Sequence, residues 1–424
     1  MAFALLRMNK PHSTKKITTD YDILIIGGGM VGASLAVALM PLNLRIGLID
    51  SFVFGVSEQP SYDDRSIALS YGSSRIFSGM GLWNGLQSKT TPIKKIHVSD
   101  RGHFGATRLN AKKEKVPALG YLVESHILGK QLYDALEQSN IEQIIPASVA
   151  AIKKNKYGLE VNLLKDKKEV SLTTKLLVAS DGTQSKVREL SGIGIKRSDY
   201  HQTAVIANIS TEKPHFNEAF ERFTDTGPIA LLPLSNNRCS LVWTHDTRNG
   251  TEDLDDTMKL NDDDFLEKLG KKFGYRLGQF TKVGKRSSFP LALVTSDKNT
   301  APNTVIIGNA SHTMHPVAGQ GLNLALRDIA VLSDLVTKHI DDLTDERLQQ
   351  NYEEQRNEDI KTTVKYTDSL VRLFSNDNFL LGHARAGGLL AVDRLPPLRK
   401  ILTRQSMGIN YRQSRLARGL GLKV

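Results

Sequence analysis

The chain has 424 residues, 40% of them hydrophobic, with a formal net charge of +11 and one cysteine. That length supports two or three cores at roughly 150 residues each. A single cysteine excludes an internal disulfide and a multi-cysteine metal centre; no stretch reaches the roughly 18 uncharged apolar residues of a membrane span; and the positive balance suits an anionic partner such as a lipid surface, nucleic acid or a phosphate-rich cofactor.

Residues 1–20 are basic but lack an apolar core with a cleavage site, and they read as a disordered leader. The apolar run Tyr21–Ile26 then reads as a strand, Gly27-Gly28-Gly29-Met30-Val31-Gly32 as a turn, and Ala33–Leu39 as a helix of small residues. Strand, glycine turn and helix are the setting that a dinucleotide fingerprint requires. Gly27 permits the tight turn, Gly29 lets the backbone approach a pyrophosphate, and Gly32 lets helix and strand pack closely. The helix N-terminus adds unpaired N–H groups and a positive dipole end. A second apolar run, Arg45–Ile49, ends at Asp50, at the distance expected of an acid that bonds a ribose hydroxyl.

Arg65, in the polar stretch Asp63–Ser70, reads equally as a phosphate clamp and as a surface arginine, and a helix is expected to start near Gly72. Lys95–Asp100 alternates like a strand, and Leu128, Leu132 and Leu136 recur at helical spacing. Residues 143–180 read as strands, the last of them ending at Asp181-Gly182. Residues 200–295 are strand-rich, with one helix expected over 255–275, so they read as a separate sheet inserted in a nucleotide fold. Cys239 falls in that block, in Arg238–Trp243, which reads as a buried strand. Thr304–Ile307 is again a buried parallel-type strand, followed by Gly308-Asn309 and by His315-Pro316-Val317-Ala318-Gly319-Gln320-Gly321. Leu322 to Val336 then keeps a helical period, so the first fold resumes near residue 300. Residues 345–424 read as helical with a basic end. There Arg394, Arg399, Lys400, Arg404, Arg412, Arg415, Arg418 and Lys423 interleave with Leu398, Ile401, Leu402, Ile409 and Leu416. That run reads equally as an interfacial helix drawn to anionic lipid and as a solvated or partner-docking tail. No nucleic-acid-binding module is present.

Three glycine-bearing strand ends, Gly27–Gly32, Asp181-Gly182 and Gly308-Asn309, together resemble the class A flavoprotein aromatic hydroxylases, whose fold is that of p-hydroxybenzoate hydroxylase. Asp64–Leu69, Gly308–Pro316 and Gly319–Leu324 resemble more narrowly the ubiquinone-biosynthesis hydroxylases. His97–His103, Ala219–Thr224 and Gly284–Ser287 are similar to their 2-octaprenyl-6-methoxyphenol hydroxylase branch. The resemblance runs from about Asp22 to about Leu373. The superfamily's third motif usually carries Asp where this chain has Asn309; Asn keeps an acceptor and adds a donor but loses the charge, so FAD binding is still expected.

The resemblance implies an α/β fold: a Rossmann-like FAD-binding domain, an inserted mixed or antiparallel β-sheet substrate domain and a C-terminal helical region. The expected division is a leader over 1–20, FAD-binding parts over 21–92, 119–195 and 299–343, substrate-sheet parts over 93–118 and 196–298, and helices over 344–424. FAD is expected on Gly27, Gly29, Gly32, Asp50, Arg65, Asp181, Gly182, Gly308, Asn309, Gly321, Leu322 and Asn323. His315, Pro316, Gly319 and Gln320 are expected to form the catalytic loop beside the isoalloxazine. Asn323 reads either as a partner of the flavin edge or as a cap of its own helix. His312 and His315 are acid–base candidates because histidine titrates near neutrality; no third ligand has metal spacing, so no metal is expected.

The implied activity is hydroxylation of a 2-polyprenyl-6-methoxyphenol with O2 and NAD(P)H, through a flavin C4a-hydroperoxide. NAD(P)H is expected to bind transiently, since no second fingerprint sits between strand and helix. The alternatives are a sister hydroxylase acting at another ring carbon and a non-catalytic flavin-binding scaffold of a quinone-synthesis complex. The setting expected is cytoplasmic, with peripheral contact at the inner membrane surface as the option that the basic C-terminus offers.

Overall fold

The computed structural model describes residues 19–53, 65–102, 105–374, 379–410 and 413–423. Most of the expected leader, Asp64 of the polar motif, His103 of the branch motif and Arg412 of the basic run lie outside the described residues. No helix among the described residues is long and apolar enough to cross a membrane.

Every residue of Tyr21–Ile26 is buried. A continuous apolar run of this kind belongs in the middle of a parallel sheet covered on both faces. Its neighbours are Ile46–Ile49 on one side and the end of Lys168–Ala179 on the other, both parallel to it. Glu142–Ile144 and Thr304–Ile306 extend the sheet, again in parallel, and Thr300–Ala301 closes one edge. The first half of Lys168–Ala179 leaves this plane to form antiparallel ladders with Gly158–Lys165 and, beyond it, Ser148–Asn155. The helix Met30–Leu39 is buried along its length from Gly32 to Leu39, as expected of a helix apolar on all sides. It packs with Ser125–Glu137 and Gln320–Lys338 on one face of the sheet, in one core that includes Leu128, Leu132, Leu136 and Leu326.

A second, nine-stranded sheet carries the inserted block. Its spine is Ile195–Thr211, Arg238–Asp246, Gly227–Pro233 and Glu218–Thr224, all antiparallel. Lys95–Asp100 then joins Glu218–Thr224 in parallel, so the sheet is mixed. Cys239 is fully buried here and its thiol is pushed up to about 12 by burial. A small third sheet, Ser66–Ser70, Gly120–Glu124 and Thr91–Ile93, is antiparallel throughout.

Two expectations from the sequence need correction. Residues 255–275 form two helices, Glu252–Lys259 and Asp262–Phe273. Leu260 turns extended, with ψ of 145°, and the Asn261 side chain caps the second helix by accepting from the Asp264 N–H. That is the ordinary N-cap use of Asn. The C-terminal region is helical over Glu346–Phe374, Phe379–Arg394 and Pro396–Ser406 but not to its end. Leu416 and Ala417 are buried in the main core, beside the helix Tyr71–Gly79. Leu416 therefore belongs to the interior and not to an interfacial face.

Candidate functional site

The phosphate turn is built by contact geometry. Gly27 has φ of +96°, and a Cβ there would lie 2.5 Å from the Ser180 carbonyl oxygen. A Cβ on Gly32 would fall 1.8 Å from the Gly27 oxygen. Gly29 is extended at the N-cap, with no side-chain cap and no acid in the first helical turn. The helix thus presents unpaired N–H groups, a cradle for an anion. Asp50 accepts from the Gly28 N–H at 2.6 Å and the Phe52 N–H at 2.8 Å. Burial raises its carboxyl pKa, and these N–H groups pull against that rise. The carboxylate therefore holds the glycine turn itself, with lone pairs left over for a hydroxyl.

The other two strand ends meet the first. The Ser180 hydroxyl hydrogen-bonds both the Ile26 and Gly27 carbonyls, at 3.0 and 2.8 Å. Asp181 accepts from the Val187 N–H through Oδ2, while its Oδ1 is buried without a partner among the described residues. Gly182 has φ of +84° and open space where a Cβ would stand. Gly308, at φ of +58°, sits against Val31 of the first helix, and Asn309 next to it is exposed. Arg188 ties the second end to the third by donating to the Ala310 and Thr183 carbonyls. Gly27–Gly32, Asp181 and Asn309 thus converge at the carboxyl edge of one sheet. Arg65 stands on the Ser66–Ser70 side, with its guanidinium 5.1 Å from the Phe289 ring centre.

The loop after Gly308 is fixed from below by charges that the sequence reading did not single out. Asp328 is fully buried and accepts from the Gly308 N–H, from His312 Nε2 and from Arg356. Burial alone would raise its pKa, but Arg356 and His312 outweigh burial and hold it below the usual carboxylate range. Arg356 and Arg327 both pair with Asp359. His312 therefore anchors the loop, and its acid–base reading gives way to a structural one. The signal in the sequence was the charged pair Arg327-Asp328 inside an otherwise apolar helical period.

Asn323 needs the other correction. Its Oδ1 accepts from the Ser70 N–H and the Ser73 hydroxyl, at 2.8 and 2.6 Å. Its Nδ2 donates to the Ala68 and Gly319 carbonyls. An amide side chain has two donors and two acceptor positions, so this one is saturated by protein. It ties the strand Ser66–Ser70 to Gly319, which has φ of +60°, at the start of the helix Gln320–Lys338, and it has no capacity left for a cofactor edge. Gly321 is open where a Cβ would project, Leu322 is half-buried, and Gln320 is buried in the first turn, off the cavity wall described next.

A cavity of about 170 Å³ lies where the nine-stranded sheet, the small third sheet and the C-terminal helices meet. His315, Pro316, Val317 and Gly319 close one part of it. Ile96, Val98, Ala219 and Phe223 line it from the large sheet, and Tyr366, Leu370 and Leu389 from the helices. His315 is 1% exposed, and burial lowers its pKa to about 4. Its Nδ1 accepts from the Val317 N–H at 3.1 Å. The neutral ring therefore carries its proton on Nε2, which is buried with no partner among the described residues. Glu221 is the carboxylate among the described lining residues. The Tyr366 phenol is raised by burial and then by Glu221.

An uncapped helix N-terminus over a glycine turn, an orphaned acid oxygen on Asp181 and open glycines at 182 and 321 together suit a dinucleotide with a flat ring. The fold and this site define an FAD-binding monooxygenase, and the family model described as an FAD binding domain matches residues 20–367. The chain is 34% identical to the ubiquinone hydroxylase UbiL of Rhodospirillum rubrum, over 95% of this chain and 93% of that one. It is 29% identical to the 3-demethoxyubiquinol 3-hydroxylase of Escherichia coli, over 92% of this chain and 98% of that one. Among solved structures it resembles the p-nitrophenol 4-monooxygenase PnpA of Pseudomonas putida, with a TM-score of 0.78 at 13% identity, covering 94% of this chain and 100% of that chain. The chain belongs to the FAD-dependent hydroxylases of ubiquinone biosynthesis.

Proposed function

We propose that the protein hydroxylates the ring of a 2-polyprenyl-6-methoxyphenol, using O2 and NAD(P)H. The observation that carries this reading is the apolar cavity closed by His315–Gly319, a loop that Asn323 and Asp328 hold in place beside the glycine turns. Gly27, Gly29 and Gly32 would take the FAD pyrophosphate and Asp50 a ribose hydroxyl, with Arg65 at the phosphates. Asp181, Gly182, Gly308 and Asn309 would flank the rest of the chain, and Pro316, Gly319, Gly321 and Leu322 would lie along the ring. Bound FAD, once reduced by NAD(P)H, supplies the activation of O2 and the transfer of one oxygen atom.

The protein's own part is position, proton handling and dryness. Apolar walls keep water from the reacting ring. A phenol reacts faster with an electrophilic oxygen as its proton leaves, and Glu221 on the cavity wall is the group we assign to receive that proton. His315 is held neutral, so it acts as a hydrogen-bond donor through Nε2 and not as the base.

The test is NAD(P)H oxidation coupled to one-oxygen addition on a short-chain methoxyphenol analogue. Turnover supports the reading; flavin without turnover on any such phenol supports a scaffold. The relative named for ring position 3 favours one rival, a sister hydroxylase acting at another carbon. The phenol that accumulates in a deletion strain decides between the two.

A further inference from the structure

The strands that wall the apolar cavity have a second face. Side chains alternate along a strand, so Ile96 and Val98 face the apolar cavity while His97 and Ser99 face away. Likewise Leu109 and Glu221 line the first cavity, and Arg108 and Arg222 line a second. This second cavity, of about 520 Å³, gathers Arg108, Arg222, Arg276 and Arg394 against one acid, Asp100. Asp393 neutralises Arg108 from one side, with an ion pair at 3.6 Å. Arg276 and Arg394 have no partner among the described residues. Two buried polar atoms on the wall are also unpartnered: Arg222 Nε and His97 Nε2. His97 is 5% exposed and is lowered to about 4 by burial, then by Arg276 and Arg108. Unpaired guanidinium donors and surplus positive charge in a concave site are the chemistry that binds a phosphate.

The rim identifies the source of that phosphate. Leu390 and Arg394 line the cavity on the helix Phe379–Arg394. Leu395, Leu398 and Ile401 follow, 50%, 42% and 63% exposed, and Tyr275 stands exposed beside Arg276. A dissolved phosphate has no use for an apolar rim, whereas a lipid head group arrives with one beside it. The sheet also stands between this cavity and the His315 loop. A nicotinamide cofactor held here by its phosphate could not present its ring to a flavin beside that loop.

We propose that the cavity of Arg108, Arg222, Arg276 and Arg394 binds the phosphate of an anionic phospholipid, with Leu395 and Ile401 entering the interface. The site assigns the membrane contact to a specific pocket in place of the basic tail as a whole. It stands apart from the hydroxylase reading, because binding is measured without turnover.

The experiment is co-sedimentation of the FAD-loaded protein with vesicles of phosphatidylglycerol in phosphatidylcholine, and with vesicles of phosphatidylcholine alone. Three proteins are compared: wild type, the pair Arg276→Glu and Arg394→Glu, and a control pair Lys153→Glu and Lys154→Glu on the exposed distal hairpin. Each pair changes the net charge equally. Each basic contact with an anionic surface is worth about fivefold in partitioning, so losing two lowers binding roughly 30-fold. The expected result is that drop for the arginine pair, less than about threefold for the lysine pair, and unchanged flavin content in both. Equal losses in the two pairs, or none in either, overturn the proposal. Retention of inorganic phosphate or NADPH by wild type in equilibrium dialysis, lost in the arginine pair, with no vesicle binding by wild type, assigns the cavity to a soluble phosphate and overturns the lipid assignment.

Discussion

Asn323→Asp tests the central joint of the site with a single change of atom type. The two bonds accepted by Oδ1, from the Ser70 N–H and the Ser73 hydroxyl, survive. The two donated by Nδ2 do not: an acceptor now faces the Ala68 and Gly319 carbonyls. Asn323 is 2% exposed, so water cannot replace them. Each lost donation costs about 1 kcal/mol and each carbonyl left facing an acceptor about 1 kcal/mol more, giving about 4 kcal/mol. In a chain of this length that lowers Tm by about 4 °C. A buried carboxylate in this setting has a raised pKa. The penalty is therefore smallest in acid, where the protonated group donates one bond, and grows as pH rises through that pKa. The assay is thermal unfolding across pH, with flavin absorbance relative to protein absorbance at each point. Flavin retention should fall with stability, because the same side chain sets both Gly319 and the strand after Arg65. Wild-type Tm and full flavin content at neutral pH would refute the saturated-amide argument.

Gly32→Ala should abolish flavin retention, since its Cβ would fall 1.8 Å from the Gly27 oxygen; a variant that purifies with full FAD contradicts the turn. Asp328→Asn should destabilise by about 3–5 kcal/mol, because Arg356 loses a buried counter-charge; chemical denaturation measures it, and a loss below about 1 kcal/mol would show that the network does not hold the loop. His315 has an ordinary pKa of 6.5 and about 4 when folded, so its contribution to stability is complete above 6.5 and is lost as pH falls toward 4, up to about 3 kcal/mol. His315→Asn should flatten that acid limb in stability-versus-pH curves, and an unchanged limb would sink the assignment. Glu221→Gln should lower kcat on the methoxyphenol about 100-fold or more with little change in flavin content; steady-state kinetics beside flavin absorbance check this, and unchanged kcat would remove Glu221 as the proton acceptor.

What was legible in the sequence was local. Gly27 to Gly32 could be read because strand, turn and helix follow one another within twenty residues, and each glycine has a steric reason. Leu128, Leu132 and Leu136 could be read from their period and are buried as expected. What stayed hidden depends on partners far along the chain. Asn323 could not be told from a cofactor ligand until Ser70, Ser73 and Ala68 were found against it. His312 is an acid–base candidate by sequence, and only the buried Asp328 against it shows its structural part. Arg222 and Glu221 are neighbours in sequence, but only strand register separates the cavities that they serve. The break between Lys259 and Asp262 was local and readable from Asn261, yet the acidic run around it resembled one continuous helix.

The nucleotide sheet has a temporal consequence. Tyr21–Ile26 leaves the ribosome early, but its parallel partner Lys168–Ala179 comes much later, and Thr304–Ile306 later still. Leu416, which wedges beside Tyr71–Gly79, follows after all of them. Such distant pairings fold slowly. Loading of the flavin therefore waits for Thr304–Ile306 and the Gly308 turn after it, and a nascent chain stalled before that strand would be colourless.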